Sequence, residues 1–250
     1  LGGDRFTGTT LSLVGFQTNL VAAILVDQGF SFTGPLIELG AVEDFTYTQS
    51  LAAAFNPTNA AGTRLTLRAA MNGNGTLRFE SGVAVEAARI DLVASEGNGG
   101  LGIGTIVTTG ATFDLSDANI ATPVSDQERI FVFQEDEDVQ PGDLPDATQF
   151  TGGLPNVLAL RNDNGRIDIA DFDISALPID LAVDSRVILE ADSLLLRQQD
   201  GDDLQLTTSS DPAIDLSHVH LRLRANTLGF EATGSSDSDR GQVLAGARSL

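Results

Sequence analysis

The chain's two histidines stand two residues apart in "SHVHLRLR", residues 217–224. Strand alternation puts His218 and His220 on one face with Arg222 and Arg224, opposite Val219, Leu221 and Leu223. Two imidazoles on one strand face bind a transition metal when a neighbouring strand supplies a third ligand. The flanking arginines disfavour a cation, so the plain reading is an exposed polar face. Hard oxygen ligands are more plentiful. "QEDED" (134–138) brings Glu135, Asp136, Glu137 and Asp138 together, and "DGDD" (200–203) brings Asp200, Asp202 and Asp203. Each run has the oxygens to hold calcium, but solvated loop charge is the ordinary role of such runs, so the expectation is no cofactor, with calcium as the alternative.

Other patterns fail on their context. "GNGGLG" (97–102) has the spacing of a dinucleotide loop, but β-branched "IGTIVTTGATF" follows where a helix should open. The overlapping "GGLGIG" places Gly104 where a calcium nonapeptide needs Asp. "LRNDNGRID" (160–168) has Gly165 at the sharp turn of an EF-hand-like loop, but Leu160 stands at the first ligand position. Lysine and cysteine are absent, which removes Schiff bases, the P-loop lysine, disulfides and thiolate chemistry. No Gly-x-Ser-x-Gly elbow accompanies the histidines. A two-carboxylate glycosidase needs only Asp or Glu and stays open. The net charge of −21 argues against nucleic acid and anionic membrane as partners. The greasiest stretch, residues 11–26, carries Gln17 and Asn19 and is short for a span, so no membrane insertion is expected. The opening "LGGDRF", lacking Met and a basic leader, reads as a processed start and suggests export.

The elements that must position these residues are strands. Apolar residues alternate in runs of five to seven, punctuated by Gly, Asn, Asp and Ser, and only "SLAAAFN" (50–56) reads as a helical turn or two. Three segments coincide without gaps: "VAVEAARIDLVAS" (83–95), "VILEADSLLLRQQ" (187–199) and "LRLRANTLGFEAT" (221–233). Val83, Val187 and Leu221 align, as do Val85, Leu189 and Leu223. Ala87, Ala191 and Ala225 follow, then Ile90, Leu194 and Leu228, then Leu92, Leu196 and Phe230. Strands this brief need stacking on like neighbours, which predicts an all-β parallel β-helix, a solenoid, with Leu194 and Leu228 both buried. An antiparallel β-sandwich is the alternative, with Asn164-Gly165 as a hairpin turn. Residues 1–62 read as an irregular, capping N-terminal region, and 63–234 as the helix with an acidic excursion at about 123–155. Residues 235–250 read as a linker and tail.

"HLRLRANTLGFEATG" and "VILEADSLLLRQQ" resemble the shafts of secreted bacterial β-helical proteins, the filamentous-haemagglutinin-like adhesins and autotransporter passengers. These carry runs of apolar-x-apolar-x-Ala-[Asn/Asp]-[Ser/Thr]-Leu. The resemblance covers residues 63–122 and 156–234, and "FNPTN" (55–59) is similar to an Asn-Pro motif of that family's secretion domain. It implies an extracellular or cell-surface structural or adhesive protein with no catalytic residues to carry over. Expected partners are the chain itself, head to tail through the terminal "QVLAGARSL", and surface polysaccharide. The alternative is a polysaccharide-acting β-helical lyase or glycosidase.

Overall fold

The computed structural model describes residues 5–7, 10–15, 31–33, 36–41, 45–47, 51–54, 64–70, 74–94, 103–116, 127–135, 139–198, 204–206, 218–232 and 243–244. Short strands come first: β1 (Arg5–Thr7), β2 (Thr10–Gly15), β3 (Ser31–Thr33), β4 (Leu36–Ala41), β5 (Phe45–Tyr47) and β6 (Leu51–Ala54). Then follow β7 (Arg64–Ala69), β8 (Gly75–Phe79), β9 (Ala84–Glu86), β10 (Arg89–Ala94), β11 (Gly104–Val107), β12 (Thr112–Asp114) and β13 (Ile130–Glu135). The C-terminal part holds β14 (Val157–Ile169), β15 (Ser185–Gln198), β16 (Leu204–Gln205), β17 (Val219–Ala232) and β18 (Val243–Leu244). Among the described residues the only helical pieces are 3₁₀ turns at Pro141–Asp143, Ala147–Gln149 and Ile174–Ala176.

The protein is all-β, and every pairing between the described strands is parallel. An eight-stranded sheet has the order β17-β15-β14-β13-β10-β7-β4-β2; beside it lie sheets of order β1-β3-β6-β9-β12 and β11-β8-β5. From β4 to β10 each strand pairs with the strand three places later. Parallel neighbours need a crossover, commonly a helix. Here two further strands make the crossover instead, as β8 and β9 do between β7 and β10.

Alternation then sorts the side chains. Leu65, Ile90, Phe131, Leu158, Val187 and Leu221 occupy one ladder across the large sheet. Leu67, Leu92, Phe133, Leu160, Leu189 and Leu223 occupy the next, and all of these except Leu223 are buried. The backbone register extends both ladders through Ile37 and Leu39 to Leu11 and Leu13. Rings fill the space behind them. Tyr47 stacks on Phe79 at 5.4 Å between centroids, and Phe79 meets Phe113 edge-on at 5.7 Å. Phe113 and Phe150 both contact Phe131, at 5.3 and 5.2 Å.

Several expectations are corrected. The alanine-rich 50–56 segment is not helical over Leu51–Ala54: β6 pairs there with β3 and β9. Seven residues do not offset the cost of helix nucleation, whereas flanking strands supply ready partners. "LALRNDNGRIDIADF" is no hairpin. Through Ile169 it runs as one strand, β14, beside β15, with a register shift between Asn162 and Arg166. Asn162 is buried, and a Cβ on Gly165 would lie 2.5 Å from its amide atoms, so the glycine leaves room for that side chain within the strand.

The alignment of the last two motif copies matches the register: Val187 pairs with Leu221, Leu189 with Leu223, Ala191 with Ala225 and Leu194 with Leu228. The first copy is out of phase. Ile90 stands on the ladder of Val187, not of Leu194, because one short apolar pair looks like any other and alternation specifies the face, not the rung. Leu194 is buried at 1% exposure, but Leu228 is 42% exposed, since β17 ends the sheet. The tail's β18 pairs with β16 of its own chain. Among the described residues no helix is long and apolar enough to cross a membrane.

Candidate functional site

The outward face of β15 and β17 gathers exposed polar side chains. In β17, His220, Arg222 and Arg224 are exposed, with His218 just before them, while Val219 and Leu221 between them are buried. Alternate residues of a strand stand about 7 Å apart, so the row forms a polar edge roughly 20 Å long that carries Arg222 and Arg224. Its ends are tied to β15 and the residue before it. His218 Nδ1 lies 3.2 Å from Asp184, Arg224 donates to Glu190 at 2.6 Å, and Asn226 donates to Asp192 at 2.5 Å. Glu190 also pairs with Arg161 of β14 at 3.1 Å. Among the described residues, His220 and Arg222 have no ion pair. No third ligand joins the histidines: the described residues contain no group of three His, Asp or Glu arranged for a metal.

Of the proposed calcium ligands, Glu135 is the one described. It ends β13, is buried, and accepts the backbone N–H of Ile106 at 2.8 Å, which joins the large sheet to β11. Asp136, Glu137, Asp138, Asp200, Asp202 and Asp203 lie outside the described residues, as does "GNGGLG".

Two other carboxylates were not singled out by their sequence context, and both sit in the tripeptide "RID". In β10, Arg89 donates to Asp91 at 2.8 Å and Arg64 of β7 pairs with it from the adjacent strand. In β14, Arg166 lies 3.4 Å from Asp168, and Arg197 of β15 donates to it at 2.7 Å. Both carboxylates are almost wholly buried. The repeated tripeptide is the signal that would have found them: an arginine and an aspartate two apart share a face, and the neighbouring strand adds a second guanidinium. These groups are clamps across the sheet, with both acids neutralised. Arg129 does similar work before β13, where it is buried and donates to the Leu154 carbonyl at 2.7 Å and to Asp180 at 2.6 Å. Burial of Tyr47 raises its phenol well above the ordinary value.

The geometry therefore offers an edge and a polar row that carries two arginines. No family model matches the chain, no curated protein is significantly similar to it, and no solved structure matches its fold significantly.

Proposed function

We propose that the chain is a parallel β-helix acting as a structural or adhesive element outside the cell, in which copies continue one another end to end. The observation that carries this reading is the all-parallel ladder with strands in place of crossover helices. Such a stack lengthens without changing its cross-section, which is what a shaft requires. Eight strands at about 4.8 Å give roughly 35–40 Å of stack per copy. The apolar ladders end abruptly at β17, where the row beneath remains open. An edge of that kind recruits further strands unless something covers it. The surface location is supported by the resemblance of "HLRLRANTLGFEATG" to adhesin shafts and by the strong net acidity that keeps extended flanks soluble.

Electron microscopy of the full chain over a concentration series tests the reading. Rods of uniform width, several times longer than one copy, are expected as concentration rises. Compact single particles at every concentration would overturn it.

A further inference from the structure

Resting on that end-to-end reading, we propose a specific junction: β17 of one copy takes β2 of the next as its parallel neighbour, Leu221 beside Leu11 and Leu223 beside Leu13. β17 pairs with β15 along its length, and among the described strands it has no neighbour on its other side. The apolar positions lose cover along it: Leu221 is buried, Leu223 and Phe230 are half-buried, and Leu228 is 42% exposed. No proline interrupts the strand to blunt the edge.

The occupant is a second copy because the sheet's other edge continues the same ladder. β2 ends the order opposite β17 and runs parallel to it, and Leu11 and Leu13 hold the register positions that lead to Leu221 and Leu223. A simple translation along the stack therefore sets strand beside strand in the established register. Charge agrees with this. The same register sets Thr10, Ser12 and Val14 beside His220, Arg222 and Arg224, so no like charges meet across the junction. The next position along the Arg222 row is Glu38. Val243–Leu244 of the chain's own tail already pairs with β16. The contact joins two different surfaces, so it propagates and does not close.

The chain has no cysteine, which gives cross-linking a clean background. Ser12→Cys and Arg222→Cys in the same full-length chain should oxidise to a ladder of dimers, trimers and longer covalent species. Ser12→Cys and Arg222→Cys chains mixed together should stop at covalent dimers, and neither alone should cross-link. Far-UV spectra matching the parent establish that both variants fold. If rods form in the microscope but the double variant stays uncross-linked, the junction is wrong while the shaft reading stands. Assembly that halts at dimers refutes the junction in favour of an edge pairing with itself. If neither rods nor multimers appear at any concentration, both the junction and the reading beneath it fall.

Discussion

β15 and β17 lie side by side in one register with nearly the same apolar alternation, yet their interiors differ. Val187, Leu189, Leu194 and Leu196 of β15 are sealed, whereas their partners Leu221, Leu223, Leu228 and Phe230 grade from buried to open. β15 has β14 on its far side, and among the described strands β17 has none. Burial in this molecule is therefore conferred by the presence of a strand on each side as much as by the residue's own pattern.

That contrast is broken most severely at one rung. Leu194→Asp puts an unpaired charge into the buried core and is expected to abolish soluble folding, while Leu228→Asp leaves a folded chain with a melting point lowered by only a few degrees. Soluble yield and thermal melts measure both. Equal losses would contradict the difference between the strands. One rung along, Leu189→Ala should cost about 2–5 kcal/mol in denaturant unfolding, and Leu223→Ala less than half as much.

Charged groups sharpen the comparison on a smaller scale. Asp91→Asn loosens two guanidinium groups from an almost wholly buried acid, and about 1–3 kcal/mol is expected in denaturant unfolding, because both arginines are partly in water. Glu190→Gln, whose partner Arg224 is 72% exposed, should cost less than about 1 kcal/mol. Reversal of that order would show that burial does not rank these pairs.

Tyr47 gives a quieter probe of the closed interior. With its phenol pKa raised in the folded state, the unfolded chain releases the proton first as pH climbs past about 10. The contribution to stability is full below that value and declines as pH rises toward the folded one. As the chain's one tyrosine, with no tryptophan, it can be followed by ultraviolet absorbance. Phenolate should appear in step with loss of the β signal. Titration at the ordinary value in an intact fold would place Tyr47 in water.

Much of this was legible in the alternation. Strand class, the face of each residue in β15 and β17, and the pairing of those two strands all follow from "VILEADSLLLRQQ" and "LRLRANTLGFEAT". The phase of the first copy was not, because "RIDLVA" satisfies either strand of the motif equally well. The openness of Leu228 was not legible either, since its sequence is that of a core residue and only the missing neighbour exposes it. The Asp91 and Asp168 clamps depend on arginines from adjacent strands, and Arg64 lies 27 positions before Asp91 (64 to 91) with no fixed coil length to connect them. The outward row from His218 to Arg224 was plain because it needs only the period of two.

The parallel register of β15 and β17 underlies the whole account, and cysteine pairing within one chain tests it most directly. Arg186 and His220 are register partners on the outward face, whereas Arg186 and Arg222 are offset by one outward position. Arg186→Cys with His220→Cys should close an intramolecular disulfide under mild oxidation, within the 4.4–6.8 Å range of Cα separations that such bonds span, roughly one strand spacing. Arg186→Cys with Arg222→Cys should remain reduced. Closure of the offset pair instead of the matched one, or of neither, would contradict the ladder.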